Sequence, residues 1–362
     1  MKRILTSLLL SCTLISLAQQ DAPASPYYNG FGPNWTLTGS NLKNALATKI
    51  ISTHTNLLTY TPGVWNALKI VDLDPVNNNN VLLVYGWENG TDADVTNDRS
   101  RNKDFNSGTD GDWNREHIFA QSLGNPDLGQ LGPGADAHML RACDVQRNSN
   151  RGNRLYAAGS GNSGIVGLNW YPGDEWKGDV ARIIMYMYLH YGTQCLPTYV
   201  AVGTPVASDA NMLDLLLQWN ADDPVSQYED NRNDYLGGTP NDNNYKQGNR
   251  NPFIDNPYLA TLIWGGPVAQ NRWPAIFLDT PTFDLGNAIS IYPNPSSNIV
   301  NISTDKTLDE IDIITINGQV LQQIKKPAFE NNNYTISNLP KGFYFLKLSS
   351  ATNSVTKKVL IN

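Results

Sequence analysis

The chain has 362 residues, a formal net charge of −7 and 40% apolar residues, with nine Trp and 17 Tyr. That length predicts two or three domains with sizeable cores, and the composition excludes intrinsic disorder and fibrous repeats. The acidic balance excludes a polybasic nucleic-acid binder but not a local basic site in one cleft.

Lys2 and Arg3 precede the short apolar stretch Ile4 to Leu17, and Ser16-Leu17-Ala18 supplies small residues for cleavage. Residues 1–18 therefore read as a signal peptide, with Gln19 as the mature start. The stretch is too short to span a membrane, and no later segment is long and apolar enough. Leu9-Leu10-Ser11-Cys12 loosely fits a lipobox, but apolar residues continue past Cys12. Loss of Lys2 and Arg3 leaves 24 basic residues against 33 acidic ones, a charge of −9. Cys143 and Cys195 remain, and both a disulfide and two free buried thiols stay open.

Leu42 to Leu58 has helical spacing. Val81 to Trp87 reads as a strand after the Asn77 to Asn80 loop. Asp179 to Tyr191 repeats apolar residues as an amphipathic helix does, and Leu213 to Trp219 reads as another helix. Composition then changes. All 12 Arg and nine Trp precede residue 274, whereas the tail from Ile289 holds seven Lys and neither Arg nor Trp. We expect domains over 19–279 and 289–362, joined by a linker over 280–288. The tail alternates as short strands at Ile299 to Ile302, Ile311 to Thr315, Phe343 to Leu348 and Val355 to Ile361. Asn317-Gly318 supplies a hairpin turn, and the whole suits a small all-β sandwich.

The chain has four His. His117 ends the polar run Asp112-Trp113-Asn114-Arg115-Glu116-His117. Downstream lie Asp136-Ala137-His138, then Arg147, Asn148, Arg151 and Asn153. Glu116 and Asn148 offer the oxygen ligands a hard divalent cation prefers, which favours Mg²⁺ over Zn²⁺. His117 could take the proton of an attacking water. Arg115, Arg147 or Arg151 could neutralise a phosphate. His54 and His190 fall on helical segments and read as packing residues. Arg250, in Gln247-Gly248-Asn249-Arg250-Asn251-Pro252, reads equally as a phosphate contact or part of a turn. Asn148 also suits a helix cap. Residues 99–154 hold eight Lys or Arg against seven Asp or Glu, so a bound cation would make this stretch locally positive.

Five ordered blocks carry a resemblance. They are DWNREHIFAQSLG, DAHMLRACDVQRNSNRGN, YPGDEWKGDVARIIMYM, LLLQWNADDPVSQYEDNRND and QGNRNPFIDNP. Residues 27–265 resemble the endonuclease I family of exported bacterial nucleases with a ββα-metal (His-Me finger) site. The resemblance implies an α+β fold, mostly helical around that site. It gives His117 the general-base role and Glu116 and Asn148 the metal. Arg151 and Asn153 match polar positions at the end of the site helix, and Asp136 and His138 take supporting roles. It implies non-specific cleavage of DNA, and of RNA as well, leaving 5′-phosphate ends. The cofactor would be one Mg²⁺, with Mn²⁺ or Ca²⁺ as alternatives, and no organic cofactor is expected.

The chain departs from the family pattern at Ala120, Gln121, Met139 and Ala142, and it has no Arg between His117 and Asp136. The phosphate-holding role therefore stays open among Arg115, Arg147 and Arg151. The alternative reading is a weakly active or inactive extracellular protein that binds nucleic acid or matrix on the same fold. In the tail, IYPNPSSNIVNI, INGQVL, LPKGFYFLKL and the Lys-Lys-Val-Leu-Ile end resemble a C-terminal type IX secretion sorting domain. That resemblance implies passage through the periplasm and outer membrane to a secreted or cell-surface product. It makes the secretion machinery a partner beside the DNA or RNA substrate. A monomer is expected.

Overall fold

The structure, a computed structural model, describes residues 22–277, 289–304, 307–350 and 354–362. The expected signal peptide over 1–18 and linker over 280–288 lie outside the described residues. The described residues are 31% helix and 25% strand, and the chain divides into two compact units between Ile276 and Phe277. Among the described residues, no helix is long and apolar enough to cross a membrane.

In the first unit, helix α1 (Gly39–Thr53) buries Leu42, Leu46 and Ile50 as one stripe. It stops short of the expected Leu58. The Ser52 and Thr53 hydroxyls donate back to the Lys49 carbonyl, and His54 leaves helical geometry at ψ 79°. Helix α2 (Trp65–Val71) leads into an antiparallel sheet of β1 (Leu73–Asp74), β2 (Asn77–Leu82) and β3 (Ser100–Asn102). The strand expected over Val81 to Trp87 lies earlier, because Asn80, Val81 and Leu82 pair with Asn102, Arg101 and Ser100. The chain then turns, with Tyr85 at φ +73°. Its apolar run is buried by the surrounding fold rather than by further strand pairing.

Strand β4 (Trp113–His117) pairs antiparallel with β5 (Leu140–Asp144), with Trp113 opposite Asp144 and His117 opposite Leu140. Helix α3 (Val145–Arg151) follows directly. The Asp144 carboxylate accepts from the Gln146 and Arg147 backbone N–H groups, each at 2.9 Å, and so caps it. A hairpin of β6 (Gly164–Val166) and β7 (Asn169–Tyr171) precedes α4 (Lys177–Tyr191). Instead of having one wet face, α4 is buried from Gly178 through Leu189. Strands β8 (Pro205–Val206) and β9 (Asp209–Leu213) come next, followed by α5 (Asp214–Asp222), α6 (Gln227–Leu236), α7 (Pro252–Asp255) and α8 (Tyr258–Trp264). Helix α4 packs on α1, α5 and α7. Its polar side chains are covered as ion pairs. Arg182 grips Glu229 of α6 through Nε–Oε1 at 2.6 Å and Nη2–Oε2 at 2.8 Å, and Arg141 of β5 binds Asp179. Buried charges are tolerated when paired in this way. Cys143 and Cys195 are free and buried.

The second unit is all β. One sheet orders β10 (Ser290–Tyr292), β11 (Ile299–Ser303) and β14 (Asn333–Ser337). The other orders β13 (Val320–Lys325), β12 (Glu310–Thr315), β15 (Gly342–Ser349) and β16 (Ser354–Ile361). Gly318, at φ +82°, makes the turn between β12 and β13. Val300, Ile302 and Ile336 of the first sheet share one core with Ile311, Ile313, Leu346 and Val359 of the second.

Candidate active site

Strand β4 and helix α3 border a pocket of about 260 Å³ lined by Arg115, Glu116, His117, Asn148, Arg151 and Asn153, with Ala120 to Ser122 and Gly152 completing it. Sequence neighbours on β4 and residues 31 to 38 positions later thus meet in one cavity, because α3 folds back directly after β5.

His117 is half-buried. Its Nε2 lies 3.1 Å from the Gly134 carbonyl oxygen. A carbonyl only accepts, so Nε2 carries the proton and Nδ1 keeps its lone pair. The ring stacks on Tyr60 at 5.6 Å. Burial lowers the imidazole pKa to about 4; the Gly134 bond opposes the shift, and the Arg115 and Arg151 charges add to it. The ring is therefore neutral at pH 7. Gly134 sits where a Cβ would lie 1.8 Å from the Gly129 carbonyl oxygen, so only glycine brings its own carbonyl to this place.

Glu116 is 2% exposed. Its Oε1 accepts from the Tyr85 hydroxyl at 2.8 Å and lies 3.3 Å from Arg151 Nη1. Burial raises its carboxyl pKa to about 7, against the Arg151 charge and the Tyr85 hydrogen bond. Asn148 donates through Nδ2 to Asn114 Oδ1 at 2.7 Å and to the Arg115 carbonyl at 3.3 Å. These bonds orient the amide and leave its Oδ1 free. One anionic and one neutral oxygen on the same pocket are a donor set suited to a hard divalent cation.

The guanidinium groups differ in what they have left to offer. Arg151 is fully buried and donates to the His117 and Ile118 carbonyls, each at 2.9 Å. Arg115 lies 3.5 Å from the Tyr60 ring centroid and 4.3 Å from that of Trp65, and its Nη1 donates to the Tyr60 carbonyl and the Thr61 hydroxyl. Its Nη2 makes no hydrogen bond among the described residues. Arg147 does not line the pocket. It donates to the Tyr85 and Ser163 carbonyls and stacks on Trp87 at 4.2 Å. Arg250 is also elsewhere, held by Asp255 and Asp234 at 2.6 and 2.7 Å. Asn153 is exposed at the pocket rim.

The other three histidines gather around Asp136. His54 Nδ1 lies 2.8 Å from His190 Nε2, and His138 Nε2 lies 2.9 Å from the Asn249 carbonyl. His54, Asp136 and His190 bring ligand atoms within 4.8 Å of one another and could hold a metal ion. Most of their hydrogen-bonding capacity is already engaged, although His190 Nδ1 is buried without a partner among the described residues. Asp136 Oδ2 accepts from the Tyr186 and Tyr191 hydroxyls at 2.7 and 2.8 Å, and Oδ1 from Gln247 and the His138 N–H, each at 2.9 Å. The Gln247 Oε1 is fixed by the Ala137 N–H, so its Nε2 donates to His54 Nε2 at 3.1 Å. The His54 proton therefore sits on Nδ1, facing His190. Burial works against the Asp136 charge, but the imidazoles and Gln247 hold its carboxyl below the ordinary range.

Sequence reading missed Tyr60, Tyr85, Gly134 and Tyr156. Tyr85 lay inside an apolar run read as strand, and nothing local marked the other three.

Residues 38–258 match the Endonuclease I family, and residues 290–362 match the secretion system C-terminal sorting domain. The chain is 42% identical over 271 residues to the extracellular ribonuclease of Bacillus subtilis (strain 168), covering 70% of this chain and 84% of that protein. It is 43% identical over 239 residues to the extracellular ribonuclease of Bacillus amyloliquefaciens, covering 63% and 75%. The family suggests a divalent metal. The chain therefore belongs to the Endonuclease I family, as a secreted nuclease that carries a C-terminal type IX sorting domain.

Proposed function

We propose that the protein hydrolyses phosphodiester bonds of DNA and RNA without sequence preference, on a ββα-metal site in the pocket of β4 and α3. His117 is the general base. The observation that carries this reading is the free Nδ1 of a neutral imidazole beside two unengaged ligand oxygens, Glu116 Oε2 and Asn148 Oδ1. Glu116 and Asn148 would hold one divalent cation of the Mg²⁺ class. When bound, such a cation polarises the phosphate and stabilises the leaving oxygen.

Nδ1 of His117 takes the proton of the water that attacks phosphorus, while the Gly134 carbonyl keeps the opposite nitrogen protonated. The 3′-oxygen leaves, which gives 5′-phosphate ends. Arg115 holds the phosphate through Nη2, fixed in place by Tyr60, Thr61 and Trp65. Arg151 has a different role. It ties the His117 and Ile118 carbonyls and the Glu116 carboxylate together and so keeps the end of β4 in shape. Asn153 contacts substrate at the rim. RNA belongs among the substrates on the strength of the two ribonuclease relatives. The sorting domain delivers the enzyme through the type IX machinery, and it acts as a monomer outside the cell.

The test uses the purified full chain on supercoiled plasmid and on total RNA, with Mg²⁺ and with EDTA, beside His117→Ala. Cutting that needs both the metal and His117 is the expected result. A folded protein that cuts neither substrate with any of several divalent metals would instead favour a binding-only role.

A further inference from the structure

Glu116 is held from behind by a buried pair of tyrosines. Tyr85 and Tyr156 are both fully buried. The Tyr85 hydroxyl lies 2.8 Å from Glu116 Oε1 and 2.6 Å from the Tyr156 hydroxyl. Tyr85 has one proton. A carboxylate cannot donate, so the Tyr85 proton serves Glu116. The Tyr156 hydroxyl donates to the Ile118 carbonyl at 3.0 Å, and that carbonyl also accepts from Arg151 Nη2 at 2.9 Å. The result is a buried pair of hydroxyls, 2.6 Å apart, packed behind one oxygen of Glu116.

The backbone of Tyr85 is arranged for this. Its φ of +73° lies in the left-handed region, where a bulky side chain is unfavourable. The Ser163 hydroxyl donates to its carbonyl at 2.6 Å, and Arg147 Nε does so at 3.4 Å. The next residue, Gly86, has no room for a Cβ, which would lie 2.2 Å from the Asp98 carbonyl oxygen. The turn is thus fixed on both sides, and it aims a phenol at Glu116.

We propose that Tyr85, supported by Tyr156, is a positioning residue for the divalent cation. It binds Oε1 of Glu116 so that Oε2 alone is presented to the pocket as a single-oxygen ligand. This rests on the reading of Glu116 as a metal ligand given above. Partners behind a ligand commonly set metal affinity by about 10- to 100-fold.

The experiment measures binding of Mn²⁺ alone to the full chain, by electron paramagnetic resonance of the free ion. It compares wild type with Tyr85→Phe, Tyr156→Phe and Glu116→Gln, and then records cutting rate against Mn²⁺ concentration. Tyr85→Phe should raise the Mn²⁺ Kd about 10- to 100-fold, with cutting restored at high Mn²⁺. General destabilisation would not give that split between affinity and maximal rate. Tyr156→Phe should weaken binding in the same direction but less, and it carries the test if Tyr85→Phe does not fold. If Glu116→Gln loses Mn²⁺ while the foldable tyrosine variants bind within twofold of wild type, the positioning role is overturned and Glu116 remains a ligand. If Glu116→Gln binds Mn²⁺ like wild type, the ligand reading itself falls, and the role of Tyr85 with it.

Discussion

One of the four histidines faces a pocket, and three crowd around Asp136. At the pocket, His117 Nδ1, Glu116 Oε2, Asn148 Oδ1 and Arg115 Nη2 have no side-chain hydrogen-bond partner among the described residues. Around Asp136, both carboxylate oxygens are doubly hydrogen-bonded, and Gln247 dictates the proton position on His54. Burial alone does not separate the two regions, since Glu116 and Asp136 are 2% and 1% exposed. The difference lies in unsatisfied capacity. A network whose lone pairs and protons are nearly all matched, the buried and unpartnered His190 Nδ1 being the exception here, holds a fold together, whereas one that leaves acceptors facing a cavity can do chemistry.

That contrast can be broken by substitution. His117→Ala should slow cutting by about 10²- to 10⁴-fold while leaving the melting temperature near wild type. A cutting rate unchanged by this substitution would remove the imidazole from the reaction. Asp136→Ala should act in the opposite way. It strands four buried donors, and we expect a loss of about 3 kcal/mol or more, read as a lower urea midpoint. A stable Asp136→Ala protein would mean that the cluster is not structural.

The cluster should also respond to pH. Burial lowers the His138 and His190 pKa values to about 4, against about 6.5 for an unfolded chain. Between these values the unfolded state binds more protons, so stability should fall as pH drops from about 6.5 toward 4. His138→Gln should flatten that slope, and a wild-type melting profile level across the window would contradict the sign. The smallest effect concerns Arg115. Its replacement by Gln should weaken substrate binding about equally for all sequences and reduce the slope of log affinity against log salt by about one. An unchanged slope would assign the phosphate to another group.

Much of this chain was legible without its structure. The Asn-Gly turn of the tail, the stripe of α1 and the extent of α4 follow from local spacing and turn chemistry. Five ordered blocks pointed to the family, and the Arg-Glu-His run pointed to the pocket. Those features depend on neighbours in sequence. The burial of α4 on nearly every face was not legible, because the partners that cover Asp179 and Arg182, Arg141 and Glu229, come from distant segments.

The sequence by itself determined which chemical groups were available: one imidazole beside a carboxylate, a later amide, and a set of arginines. Only the tertiary structure decided which of those groups were free. Arg147, Arg151 and Arg250 are equivalent cations on paper, yet backbone carbonyls claim the first two and Asp255 claims the third. Arg115 keeps Nη2 for the pocket. Likewise, Tyr85 reaches Glu116 only because a left-handed turn, fixed by Ser163 and by the close approach of Asp98 to Gly86, swings it inward. Hydrogen-bond capacity is consumed by whatever the fold brings within about 3 Å, and that proximity is set by long-range packing rather than by local pattern.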